Sequence, residues 1–398
     1  MSNAGAKDSV TLVNADLGTG VLASLRLHGT RIEAVNVPPA RSGRVLDLCG
    51  DRVLPGLINA HDHLQLNSFP PLDYPAYFRN ATEWIHDFNT RLRDEPAVKA
   101  AAAAPRAQRL LVGGIKNLLC GVTTVAHHDP LDALLLEASF PTRVLRDFGW
   151  SHSLHVDGPE RVRASCASTP TDQPWIVHAG EGVDEDAHEE FEQLTTLGCI
   201  RANTVLVHAL GLDAVQRERL AATGAGVIWC PSSNLRLFGR TAAVGELIAG
   251  GHVALGTDSR LTGAADLLAE LSVAKASLAL DEQALERLVT RDAARLLRLP
   301  DRGVLQAGAL ADLLVLPAGM PLSAATRADV RLVVVDGMAR YGDADYVGAF
   351  LASPACADVQ VDGRSKFLRR ELAAALASSH VHEPGVSVLR TPARAVCA

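Results

Sequence analysis

From Pro55 to about residue 300, short apolar runs alternate with stretches whose apolar residues recur at helical spacing, and this limits the folds open to the chain. The clear runs are 57–60, 122–126, 176–179, 205–209, 227–230 and 253–256, the first of them read as the end of one buried strand over 53–60. Weaker runs cover 143–148 and 153–156. Helical patterns lie between them at 97–119, which Pro105 kinks or splits, and at 131–138, 184–197, 213–223 and 242–250. Strands alternating with helices build parallel βα units, and about eight units in roughly 250 residues fit a (β/α)8 barrel. Two strands must share 140–175, so one barrel helix is expected to be absent there.

The flanks are different. Before Pro55, short strands at 10–14, 24–27, 31–37 and 44–48 are punctuated by glycines. After the barrel, 263–280 and 282–299 read as helices. Strand character then returns at 311–316, 330–335 and 338–341, with Asp336-Gly337 as a hairpin turn. Neither flank has enough strands to bury a core alone. The expected fold is therefore α/β: a distorted (β/α)8 TIM barrel over 55–300 and a small composite β domain built from 1–54 and 301–345. Residues 346–398 read as a helix over 366–377, capped by Ser365, and a tail that is irregular beyond His382.

Net charge is −7 and no Lys/Arg cluster stands out, which argues against nucleic acid and anionic membranes as partners. A small molecule is the expected partner. No run reaches membrane-spanning length and the first residues carry no apolar leader. Seven scattered cysteines without a Cys-x-x-Cys suggest reduced thiols, hence a cytoplasmic location.

In a parallel barrel, functional groups gather where strands end. The first run ends in His61 and His63, the second in His127, His128 and Asp129. Later runs end in His178 with Glu181, in His208 and in Asp258. His61, His63, His178 and Asp258 offer three imidazoles and a carboxylate, a set that suits one divalent metal ion, Zn²⁺ first and Fe²⁺ or Mn²⁺ as alternatives. Asp258 can ligate and accept a proton, Glu181 can carry one to substrate, and His208 can polarise the bond under attack. Gln65, Asn67, Trp84, His128 and Asn234 are the candidate substrate contacts. The acids 185, 186, 189 and 190 read as the exposed start of a helix, where the dipole favours them.

These motifs, taken in order, resemble the amidohydrolase superfamily, in the mononuclear branch of guanine, cytosine and S-adenosylhomocysteine deaminases and triazine hydrolases. Pro55-Gly-Leu-Ile-Asn-Ala-His61-Asp-His63 matches the first-strand motif and Gly121-Val-Thr-Thr-Val the second. His178-Ala-Gly-Glu181, His208, Cys230-Pro-Ser-Ser-Asn234 and Gly256-Thr-Asp258-Ser follow in family order. The resemblance implies metal-dependent hydrolysis of C–N bonds, with deamination of an amino-substituted heterocycle favoured and, as the alternative, hydrolysis of a cyclic amide or imidazolone or displacement of another leaving group at the same site. A non-catalytic barrel scaffold is the remote alternative. It also implies a homodimer. Dinuclear members bridge two metals with a carboxylated lysine, but no lysine occurs between Lys116 and Lys275, which favours a mononuclear site. Lys116 itself is expected on a helix surface. The segment from Leu64 to Trp84 departs from the common members, so the substrate is expected to be atypical.

Overall fold

The computed structural model describes residues 9–40, 43–350 and 355–389. The chain opens with five strands, β1 (Ser9–Asp16), β2 (Leu22–His28), β3 (Arg31–Val35), β4 (Arg44–Asp47) and β5 (Arg52–Pro55). The stretch expected to be one strand over 53–60 is divided at Gly56. A Cβ there would stand 2.3 Å from the Thr123 side chain, so only glycine lets the backbone pass between the two layers at this point.

Eight barrel strands follow: β6 (Leu57–Asp62), β7 (Val122–His127), β8 (Arg143–Val144), β9 (Gly149–Ser153), β10 (Trp175–Ala179), β11 (Thr204–His208), β12 (Gly226–Trp229) and β13 (Val253–Leu255). All pairings among them are parallel. β6, β7 and β10 to β13 are buried at every position, which is why they read as continuous apolar runs. The ring falls into two arcs, β6–β7–β8 and β9–β10–β11–β12–β13. One junction closes through a parallel bridge between Asp62 and Asp258. At the other, β8 and β9 share no ladder, and only residues 145–148 connect them. The absent helix expected in 140–175 is at this opening.

Local chemistry corrects several expectations here. Residues 131–138 form only a 3₁₀ turn, Ala133–Leu136, capped by the Asp132 side chain. The weak run at 153–156 is not a strand: β9 ends at Ser153, whose hydroxyl accepts the Val156 N–H and starts the helix Leu154–Asp157. Pro105 does split its helix, into Pro96–Ala103 and Arg106–Leu119. The helix Ala81–Asp94, capped by Asn80, had no counterpart in the sequence reading.

After the barrel come β14 (Leu313–Leu316), β15 (Leu332–Val335), β16 (Met338–Gly342), β17 (Cys356–Val361), β18 (Arg364–Arg369) and β19 (Val386–Val388). They join the N-terminal strands in one 11-stranded sheet, in which β14 pairs antiparallel with β5. The two flanks therefore share a core. Asp336 and Gly337 both take positive φ, as a tight hairpin needs. The helix expected over 366–377 starts only at Arg370 and runs to Ser378. Lys366 lies in β18 instead, where its ammonium donates to the Val330 carbonyl at 2.7 Å and to Asp343 at 2.6 Å. Ser365 caps nothing, because the Asp362-Gly363 turn pairs its strand with β17.

The tail is ordered by charge. Glu383 has a fully buried side chain that accepts from Arg260 at 2.7 and 3.0 Å and from Arg327 at 2.6 Å. Residues beyond His382, expected to be irregular, thus tie the sheet to the loop that follows β13. Removing one partner of a buried ion pair leaves the other charge uncompensated. Glu383→Ala should lower unfolding free energy by about 3 kcal/mol in urea titrations, with an unchanged m-value.

Candidate metal centre

The ends of β6, β10 and β13 meet. The His63 amide donates to the Asp258 carbonyl at 2.7 Å, and the Thr257 and Asp258 amides donate to the His61 carbonyl at 3.0 and 3.1 Å. Asp258 takes a left-handed φ of 58°, and so does His208 at 73°. Such backbone is uncommon outside glycine and here turns each side chain over the barrel mouth.

The structure brings His61, His63, His178 and Asp258 together, with one donor atom of each within 4.8 Å of the others. His178 Nε2 is 3.2 Å from His61 Nε2 and 3.4 Å from His63 Nε2. Imidazole nitrogens bound tetrahedrally to zinc at about 2.1 Å stand about 3.4 Å apart. Asp258 Oδ1 lies 3.5 Å from His61 Nε2 and 3.7 Å from His63 Nε2.

Hydrogen bonds on the far side of each ring fix which nitrogen is free. His178 Nδ1 faces the His152 carbonyl at 2.8 Å and must donate to it. His63 Nδ1 donates to Asp129 Oδ2 at 2.8 Å. His128 Nε2 faces the Ser151 carbonyl at 3.0 Å, so its proton lies there and its Nδ1 is an acceptor. That Nδ1 is 3.3 Å from His61 Nδ1, which therefore donates. His61 and His178 are left with Nε2 lone pairs turned inward, as metal ligation requires, and His63 Nε2 faces the same point. Burial pushes His61 down to about 4 and His178 well below the usual imidazole range, which keeps both neutral. Burial opposes charge on His63 too, but Asp129 holds it up at about 9. Asp258 is buried, yet His61, His208 and His63 keep its carboxyl low. Its second oxygen accepts the Thr262 hydroxyl at 2.6 Å. Two neutral imidazoles, a third whose proton a cation would displace, and a carboxylate fit a divalent cation.

Glu181 sits beside this group, its Oε1 3.5 Å from His208 Nε2. Burial raises its carboxyl to about 7, against the pull of His208. The Asn234 carbonyl oxygen, 2.9 Å from His208 Nδ1, orients that ring.

The other candidates have different places. His128 lies behind His61 and sets its tautomer. Gln65 donates to Asp129 at 2.7 Å and holds it against His63. Asn234 is buried behind His208. Trp84 donates its indole N–H to Tyr74 at 3.0 Å and stacks on Phe88. Asn67 is buried, donating to Asp62 at 2.7 Å and accepting from Lys116 at 2.6 Å. Lys116, expected at a helix surface, is fully buried, its ammonium 3.3 Å from Asp62. Asp62 also accepts from Asn117 at 2.8 Å and Thr257 at 3.2 Å. This network clamps the residue between His61 and His63. Glu190 is also turned inward, accepting the Gly180 N–H at 2.6 Å, where an exposed helix start was expected. A cavity of about 290 Å³, lined in part by Glu190, reaches His178 and Glu181. A larger one of about 680 Å³, lined by Arg143, Arg302 and Arg340, includes none of the clustered histidines.

Residues 160–340 match the amidohydrolase family. The chain carries an amidohydrolase domain. Among its relatives, a 5-methylthioadenosine/S-adenosylhomocysteine deaminase of Haloarcula marismortui is 28% identical over 342 residues, covering 73% of this chain and 78% of that one. An 8-oxoguanine deaminase of Pseudomonas aeruginosa is 31% identical over 229 residues, 49% of this chain and 50% of its own. The fold is shared with an atrazine chlorohydrolase from Arthrobacter aurescens complexed with zinc, at a TM-score of 0.67 and 18% identity over 83% of this chain and 94% of that one. An adenosine deaminase from Xanthomonas campestris with bound zinc has a TM-score of 0.65 at 20% identity, over 83% and 92% of the two chains. No helix among the described residues is long and apolar enough to cross a membrane.

Two outcomes follow from the amidohydrolase site. Lys116→Met leaves Asp62 without its cation and should cost about 3 kcal/mol of stability in urea, with weaker retention of an added divalent metal on dialysis against a chelator. Glu270 is buried beneath the start of the helix Pro231–Phe238 that follows β12, accepting the Ser232 N–H at 2.9 Å, and burial raises its carboxyl from 4.5 to about 7. A folded-state pKa above the unfolded one means the native chain binds the extra proton, so this group's contribution falls as pH rises from about 4.5 through 7. Glu270→Gln should flatten the decline of Tm between pH 5 and 8; an unchanged slope would remove Glu270 as its source.

Proposed function

We propose that this amidohydrolase removes an amino group from a heterocycle as ammonia, using water and one zinc ion held by His61, His63, His178 and Asp258. The observation that carries this is Glu181, a buried carboxyl near pH 7 set against the inward-facing nitrogens and 3.5 Å from His208. A group with that pKa exchanges protons in both directions at neutral pH. The two relatives described above are deaminases by name.

When bound, the divalent cation supplies the electrostatic field that makes water nucleophilic at neutral pH. Glu181 donates a proton to the ring nitrogen as the water oxygen bonds to the ring carbon, and Asp258 takes a proton from that oxygen. With a proton on Nε2 as well as on Nδ1, His208 would steady the negative charge that develops on the oxygen. The amine leaves with the proton from Asp258 as ammonia. Glu181 is reprotonated from the remaining hydroxyl, and the ring is left with a carbonyl. Asn234 keeps His208 in register for this task. The six described cysteines are free thiols, which supports a reducing compartment and hence the cytoplasm.

The test is ammonia release from a panel of amino-purines, pyrimidines, pterins and triazines by zinc-loaded protein. Glu181→Gln should keep stoichiometric zinc and lose turnover by about 100-fold or more, whereas His61→Ala should lose the metal itself. Ammonia from no compound, or full activity in Glu181→Gln, would overturn the assignment.

A further inference from the structure

Glu181 approaches His208 Nε2 at 3.5 Å, too far for a firm hydrogen bond, so the direction of its side chain comes from the main chain beneath it. β10 ends at Ala179, and the chain then turns through Gly180 at a φ of 63°. A Cβ at Gly180 would stand 2.8 Å from the Leu212 side chain, so glycine alone fits the turn. Neighbouring loops take the carbonyls. The Ala179 carbonyl accepts the Ala209 N–H at 3.1 Å, the Gly180 carbonyl the Gly211 N–H at 2.8 Å and the Glu181 carbonyl the Ala81 N–H at 2.9 Å. The amide side faces Glu190. Its Oε2 accepts the Gly180 N–H at 2.6 Å, and the Glu181 N–H also favours its charged form.

Glu190 comes from the helix Glu185–Thr196. Ala187, Phe191 and Leu194 form the buried face of that helix, and Glu190 lies on the same face, three residues after Ala187 and four before Leu194. Asp184 caps the helix, accepting the Ala187 N–H at 3.2 Å, and the Asn80 side chain donates to Asp184 at 2.6 Å. An anchored element thus delivers the carboxyl, which lines the same cavity as His178 and Glu181. Burial, with the charges of Glu181 and Asp184 nearby, raises it to about 7. Both protonation states keep an oxygen that can accept an N–H, so the contact depends on reach more than on charge. We propose that Glu190 is the positioning residue for Glu181: by holding the Gly180–Glu181 turn from its amide side, it aims the Glu181 carboxyl at His208 and the metal centre. The proton-carrying task of Glu181 rests on the deaminase reading; its placement by Glu190 does not.

The experiment combines crystal structures and kinetics of three variants of the zinc-loaded full chain. Glu190→Leu removes the acceptor at similar volume. Glu190→Asp keeps the charge but is one methylene shorter, and it carries the test if the first variant misfolds. Glu190→Gln keeps both the reach and an acceptor oxygen. With Leu or Asp at 190 the Glu181 carboxyl should turn away from His208. The kcat for ammonia release from the panel compound that reacts fastest should fall about 30-fold or more, with KM changed less than about threefold. Glu190→Gln should keep Glu181 in place and recover about tenfold or more of that loss. On top of Glu181→Gln, either Glu190→Leu or Glu190→Asp should cost less than about threefold more, because a residue that acts only through Glu181 has nothing left to place. Glu181 unmoved in the folded Leu and Asp variants, an active Glu190→Asp beside an inactive Glu190→Gln, or losses that multiply in the double variant would overturn the proposal. A displaced Glu181 alongside no ammonia from any compound would uphold the positioning and defeat the deaminase assignment alone.

Discussion

The structure depends on the closure between the first and last barrel strands. Two of the clustered donors leave β6 and one leaves the loop after β13, and these segments are joined by backbone hydrogen bonds through His61, His63 and Asp258 themselves. The clustered donors are therefore also parts of the seam. Between the two histidines, Asp62 points the other way, into a buried set of donors from Lys116, Asn117, Asn67 and Thr257. An isolated carboxylate in that position would be costly, and this one is neutralised and hydrogen-bonded. Alternation along β6 thus puts metal donors on one side and an anchoring charge on the other.

The second organising feature is the control of protons. Three rings present the same nitrogen inward because each has its other nitrogen occupied by a carbonyl, a carboxylate or a further imidazole. Around them the acids divide by environment. Asp258 and Asp129 face imidazoles and stay ionised, whereas Glu181, enclosed by less compensating charge, is held near neutrality. A carboxyl group's neighbours thus decide whether it stays charged or can exchange a proton near neutral pH.

The strand-end residues were legible in the sequence because an apolar run that stops at a histidine or aspartate is visible without knowing its partners. The barrel and the shared sheet followed from the alternation and from flanks too short to fold alone. What was hidden depended on contacts distant in sequence. Lys116 in an amphipathic helix looks like surface until Asp62, 54 residues earlier, is seen beside it. Glu190 is one of several acids in a row, and only the turn at Gly180 shows that it faces inward. The second-strand histidine His128 resembled a substrate contact, and its bond to Ser151 from a different arc of the barrel makes it a support. Lys366 misled through its neighbours: 364–369 carries long charged side chains that suit a helix, and only pairing with β17 makes it a strand.

Glu383 gives the centre a place in time as well as in space. Arg260, two residues past Asp258, is neutralised by a side chain synthesised more than 120 positions later. A chain emerging from the ribosome would have all four metal donors in hand long before it could compensate the charge next to one of them. The loop after β13 would settle only when the tail arrives, so the barrel mouth would be among the last parts to mature. Any metal captured earlier would be held by an unfinished site, and the arrival of Glu383 beside Arg260 would close it.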